Sequence, residues 1–331
     1  MRSMYVNLSG GLGFNIAFCS FATALKQKYP HVFKISACSP YWDLLECCEA
    51  IDTVYKAEEL KDFIFDAQSE DGELILHRLY DMDGFVKKRL TYSEAWAKLF
   101  GVEWDEEVSS STKSILNVKG TYPHLLQTAD NIVQQIGQSG FKDYVIMQFT
   151  GGQSPLVQVP RKKDENGNDV EDWSQVPYDY EHEPLKRHYP KEKAEEFVNL
   201  FSKEYPETAI IMYQLPNEPL PNNPNVFRFT VPYLSYYELA SRSACRGVVC
   251  IDSSLQHLVA GVAKTVVIWA HSVNATNDEI IKIPFGYSYN TNIVQPGRKN
   301  DILFFTALGP SGAKVDYITP SNLIKIVKER I

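Results

Sequence analysis

Residues 248–272, VVCIDSSLQHLVAGVAKTVVIWAHS, concentrate the side chains best suited to chemistry. An apolar run that reads as a buried strand stops at Asp252. Ser253 and Ser254 follow, and serine is a favoured helix-capping type. Leu255, Leu258, Val259 and Val262 recur at i, i+3, i+4 and i+7, which predicts a helix over 254–263 with that stripe against a sheet. On this reading His257 points away from the stripe, one turn into the helix. Open N–H groups at a helix start, two hydroxyls and an imidazole at a strand's carboxyl end suit a bound diphosphate. The plainer alternative is that Ser254 only caps and His257 only packs.

Two further groups stand out. Gly10, Gly11 and Gly13, with Asn15 just beyond, interrupt the chain after a strand predicted over 4–9. Glycine lets a backbone approach a ligand closely, or simply turns tightly. The spacing is not G-x-G-x-x-G, so no nicotinamide dinucleotide is expected there. His77, Asp81 and Asp83, in LHRLYDMDGF, follow a strand predicted over 73–76 and form the best polar cluster of the first half. An ordinary polar loop is the other reading of that cluster.

These groups need elements to position them. Strands are expected over 31–37, 52–55, 143–149, 208–213, 227–231, 247–251 and 265–269, with helices over 16–25, 40–48, 92–100, 121–136, 190–203 and 235–244. Alternation at this spacing predicts an α/β fold of two Rossmann-like, doubly wound parallel sheets facing a cleft. The expected division is 1–140 for a first unit and 141–315 for a second, then a C-terminal helix over 316–331. Residues 151–186 read as a long inserted loop without periodicity, with a turn at Asn166–Gly167. Thr319 followed by Pro320 marks the start of the last helix.

Bulk properties narrow the class. A chain of 331 residues normally needs more than one core. A net charge of -8 argues against non-specific coating of nucleic acid or an anionic membrane. None of the six cysteines forms a C-x-x-C pair, so a zinc ribbon is not expected. The start lacks the apolar core of a signal peptide and no segment is apolar enough to span a bilayer, so a cytoplasmic protein without integral membrane contact is expected.

The segment Asp252-Ser253-Ser254-Leu255-Gln256-His257, followed by Ala260-Gly261-Val262-Ala263-Lys264-Thr265, resembles the donor-binding motif of the heptosyltransferase-like glycosyltransferases. Their pattern is an Asp-Thr/Ser-Gly/Ser-x-x-His turn, then a small-residue helix and another strand. Residues 233–253 resemble that family's lead-in. The resemblance implies a two-lobed GT-B enzyme with a nucleotide-sugar as co-substrate, a hydroxyl-bearing acceptor and no resident cofactor or metal. It implies donor contacts from Gly11, Gly13, Asn15, Gln214, Asp252, Ser253, Ser254 and His257. Arg187-His188-Tyr189-Pro190 resembles a Lys-x-Trp-Pro element, which would bring Arg187 to the donor phosphates. Glu218 falls where the family places an acid near the ribose, although the local sequence by itself reads as an exposed Glu in a proline-rich turn.

One departure matters. Heptosyltransferases carry an Asp directly after the glycine turn, whereas this chain has Phe14 and then Asn15. The proton-accepting group must come from elsewhere, and His77, Asp81 and Asp83 are the expected catalytic residues. Asp81-Met82-Asp83 also has the D-x-D form of the manganese motif of single-lobed glycosyltransferases. The glycine turn resembles that of some fucosyltransferases too. The expected acceptor is a glycan or lipopolysaccharide core. The alternatives are a hydroxylated DNA base, as in bacteriophage enzymes of this architecture, and a non-catalytic nucleotide-sugar binder. For DNA, Lys87-Lys88-Arg89 and Arg161-Lys162-Lys163 are the basic runs that could follow phosphates.

Overall fold

Short apolar runs alternating with helical ones build two separate parallel sheets. The computed structural model describes residues 1–76, 79, 82, 90–104, 111–150, 160–163, 169–172, 175, 188–214, 218–269, 290–293 and 318–331. The first sheet contains β1 (Arg2–Asn7), β2 (Phe33–Ser39), β3 (Thr53–Lys56) and β4 (Glu73–Ile75) in the order β3-β2-β1-β4, every neighbour parallel. β5 (Asp143–Gln148) opens the second sheet. β6 (Arg161–Lys163) and β7 (Asp169–Glu171) pair antiparallel on their own. β8 (Thr208–Met212), β9 (Val226–Phe227), β10 (Cys245–Ile251), β11 (Thr265–Ile268) and β12 (Asn290–Ile293) complete a six-stranded parallel sheet in the order β12-β11-β10-β5-β8-β9. This is the doubly wound α/β architecture that the alternation predicts. β8 is buried along its whole length, the continuous pattern of a strand covered on both faces.

Eleven α-helices are described: α1 (Leu12–Lys28), α2 (Trp42–Glu46), α3 (Leu60–Ser69), α4 (Tyr92–Leu99), α5 (Thr112–Ile115), α6 (Val118–Thr121), α7 (His124–Gln138), α8 (Lys191–Glu204), α9 (Tyr233–Ser241), α10 (Ser254–Leu258) and α11 (Pro320–Arg330). Ten of the 17 residues of α1 are buried, so it lies inside the protein rather than on one face. Phe18 meets Trp96 of α4 at 4.8 Å between ring centroids, and Phe21 meets Phe100. A reciprocal Thr91–Glu94 box starts α4. Thr319 caps α11 with Pro320 at its start, as the sequence predicts, and Leu323 and Val327 are buried on the side that packs against α8 and β11.

Several elements differ from expectation. The predicted helix over 254–263 ends at Leu258. Its last carbonyls are taken from outside: Thr112 Oγ1 donates to Leu258 O at 2.9 Å, and the Thr112 amide donates to Ala260 O at 2.9 Å. Gly261, at φ +70°, then turns the chain in the left-handed region. The stretch 151–186 is not wholly irregular, since β6 and β7 form a hairpin within it. Among the described residues, no helix is long and apolar enough to cross a membrane.

Candidate functional site

In an open parallel sheet the chain leaves two adjacent strands in opposite directions at one place, and the crevice outside their carboxyl ends is the natural ligand site. In the second sheet that place lies between β5 and β10: β8 and β9 extend away from β5 on one side, β11 and β12 away from β10 on the other. In the first sheet it lies between β1 and β4. The glycine turn follows β1, and the Asp252–His257 segment follows β10. Each motif therefore sits at its own sheet's reversal point.

At the second reversal point, Ser253 extends the end of β10 and precedes α10. Its hydroxyl does not cap the helix, contrary to the capping expectation; it donates to Gln148 Oε1 at the end of β5. That contact ties the two crevice-forming strands together. Asp252 Oδ1 accepts from Gln256 Nε2 at 2.6 Å, so this carboxylate braces the turn. Ser254 hydrogen-bonds the Tyr213 phenol, which burial pushes up in pKa against the effect of that bond. The helix is only five residues long, so any favourable field on an anion comes from its first N–H groups.

At the first reversal point, Asn15 is fully buried. Its Nδ2 donates to Gly10 O at 3.2 Å and Gly11 O at 3.0 Å, while its Oδ1 accepts from Ser39 Oγ at 2.7 Å. Three bonds occupy the amide, which holds the glycine turn in shape. Gly11 is exposed, with open space where a side chain would point. Phe14 turns into the core against Tyr92 and Trp96, so the position after the glycine turn offers no polar group to the crevice.

The two points meet. A Cβ on Gly13 would lie 2.5 Å from His257 Cδ2 and 2.9 Å from Nε2. Gly13 thus gives its space to the imidazole. His257 is 4% exposed, pressed between the two halves. Gly13→Ala is expected to lower the thermal midpoint, because overpacking costs about 1–3 kcal/mol against about 1 kcal/mol gained in helix propensity. In a His257→Ala background the same change is expected to be neutral or stabilising. A midpoint drop of equal size in both backgrounds would contradict this contact.

Beyond β8, Gln214 Nε2 donates to Glu218 O at 3.1 Å and Pro219 O at 3.3 Å. Glu218 is 4% exposed, not the exposed turn residue that the local sequence suggests, and Arg228 donates to its carbonyl. Gln214 and Glu218 line a small, partly open pocket with Phe149, Thr150, Tyr189 and Lys191. This cavity opens off the same carboxyl edge, beside β5. His77, Asp81, Asp83, Arg187 and the Lys87–Arg89 run lie outside the described residues. In the β6 strand, Arg161, Lys162 and Lys163 are exposed, and Lys162 pairs with Asp172 at 2.9 Å.

A second polar group enters the crevice from α2. Tyr233 Oη at the start of α9 donates to Asp43 Oδ1 at 2.5 Å, and Tyr41 packs edge-on against Tyr233. Sequence reasoning misses this pair, since 190 residues separate its members.

No family model matches the chain, and no curated protein matches it in sequence. Solved structures do. ADP-heptose LPS heptosyltransferase II of E. coli superposes with a TM-score of 0.58 at 12% identity, covering 99% of this chain and 98% of that one. Its fold is that of the heptosyltransferases. The glycosyl transferase family 9 protein of Veillonella parvula gives 0.56 at 11% identity over 99% and 96%. E. coli heptosyltransferase WaaC with ADP-2-deoxy-2-fluoro heptose gives 0.51 at 10% identity over 99% of each chain. The likeness of fold extends over both sheets.

Proposed function

We propose that this chain is a glycosyltransferase that moves a sugar from a nucleoside-diphosphate donor to a hydroxyl of a glycan or lipopolysaccharide-core acceptor, with inversion and without a metal. The observation that carries the reading is the meeting of the two reversal-point motifs, with His257 of one against Gly13 of the other. A donor lying along β5 and β10 would have its leaving diphosphate beside the Ser253 and Ser254 N–H groups, the hydroxyls and His257. The nucleoside would extend toward Gln214 and Glu218, and Arg187 would approach the phosphates as the family resemblance implies. Fixed donors stabilise the charge that develops on a departing diphosphate most where water is excluded. His77, Asp81 and Asp83 are the proton-accepting candidates that the sequence supplies.

The test is release of nucleoside diphosphate from UDP-, GDP- and ADP-sugars by the purified chain. Slow release from one of them without any acceptor is the expected result for an enzyme. Binding of a donor with no release would support a non-catalytic binder instead. Release is expected to be unchanged by EDTA, because the proposed diphosphate contacts are hydroxyls, N–H groups and imidazole. Full loss in EDTA with restoration by manganese would contradict metal independence and make Asp81 and Asp83 the metal ligands.

A further inference from the structure

We propose that the Asp43 carboxylate takes the proton from the attacking hydroxyl, with the Tyr233 phenol of the opposite half fixing its orientation; this rests on the glycosyltransferase reading above. Asp43 stands at the start of α2, just past the carboxyl end of β2, the strand beside β1. The intervening turn is tied to the glycine turn. Ser39 Oγ donates to Asn15 Oδ1 at 2.7 Å and accepts from the Tyr41 amide at 2.9 Å. Tyr41 in turn hydrogen-bonds the backbone of Leu12, in the first turn of α1. Asp43 is thus held at the edge of the crevice where Phe14 offers no carboxylate.

The carboxylate has two unequal oxygens. Oδ1 accepts from the Leu44 amide at 3.0 Å and from Tyr233 Oη at 2.5 Å. Oδ2 accepts no hydrogen bond from the described residues, and the residue is half-buried. Two bonds on one oxygen fix the plane of the group and leave the other oxygen to receive a proton. Burial first, then the Asp43 charge, pushes the Tyr233 phenol up in pKa, so it remains the donor of this pair. The neighbouring Glu46 is already engaged by the Tyr122 hydroxyl. In the reaction the acceptor oxygen bonds to the anomeric carbon as the bond from that carbon to the diphosphate breaks. The electron pair leaves on the nucleoside diphosphate, and the acceptor's proton passes to Asp43 Oδ2.

The experiment compares water with azide as the acceptor, since azide carries no proton to remove. The donor is whichever of the UDP-, GDP- and ADP-sugars stabilises the wild type in a thermal shift. Asp43→Asn is expected to bind this donor as the wild type does and to release nucleoside diphosphate in water about a hundredfold more slowly, a usual size for loss of a general base. Azide is expected to restore release to near the wild-type rate. Tyr233→Phe, a positioning variant, is expected to slow the water reaction less and leave the azide reaction unchanged. Normal release in water by Asp43→Asn overturns the proposal. So does slow release in azide with donor binding intact, which would mean a structural role. The same water–azide split in His77→Ala, Asp81→Asn or Asp83→Asn, and not in Asp43→Asn, assigns the proton to that residue instead. A wild type that binds none of the donors overturns the glycosyltransferase reading and this proposal with it.

Discussion

His257→Ala is expected to lower kcat/KM for the donor about tenfold to a hundredfold, because a hydrogen bond to a charged phosphate contributes roughly 1.5–3 kcal/mol. The imidazole is buried at the meeting of the two sheets' crevices, with its Cδ2 edge against Gly13. A group held this firmly needs little reorganisation when charge develops on the departing diphosphate. Arg187→Ala, outside the described residues, is expected to show a loss of the same size on the strength of the family resemblance. Steady-state kinetics with the donor varied, beside a thermal midpoint for each variant, separates lost contact from lost folding. Unchanged kinetics in both variants would place the donor elsewhere.

The largest expected loss of stability comes from Asn15→Ala. It removes the amide's bonds to Gly10 O and Gly11 O and leaves the fully buried Ser39 hydroxyl without its acceptor. A buried polar group left without a partner costs about 1–3 kcal/mol, so a loss of about that size is expected. Asn15→Asp is expected to be almost as damaging although it restores a carboxylate near the glycine turn, because a carboxylate cannot donate to two carbonyls. Urea unfolding of the two variants checks this. A free-energy change within about 0.5 kcal/mol of the wild type, the usual range for a harmless surface substitution, would contradict the bracing role.

Much of the fold is legible in the sequence because parallel strands buried on both faces appear as short apolar runs. β5, β8, β10 and β11 all lie where those runs predict them. β12, with the sequence NTNI, carries no such signal and owes its place to pairing with β11. The repeat Leu60, Phe63, Ile64 and Ala67 does mark α3, but exposed Phe65 blurs its face. At the site, the strand–turn–helix at 252–257 is readable from local spacing. The detail is not. Ser253 bonds Gln148, Gly13 yields to His257 and Tyr233 reaches Asp43 across distances in sequence that periodicity cannot report. Local capping preference also misleads at Ser253, because a crevice-spanning partner outcompetes the helix for its hydroxyl.

The central claim is that a nucleotide-sugar binds at the β5–β10 crevice. The most direct measurement is a thermal-shift titration of the wild type and Ser253→Phe with UDP-, GDP- and ADP-sugars. Ser253 sits between the two strand ends, so a phenyl ring there would fill the crevice. Binding at 100 times Kd stabilises a protein by about 2.7 kcal/mol. One donor is expected to raise the wild-type midpoint by several degrees and to leave a folded Ser253→Phe unmoved. No shift with any donor, or an equal shift in both proteins, would contradict the account.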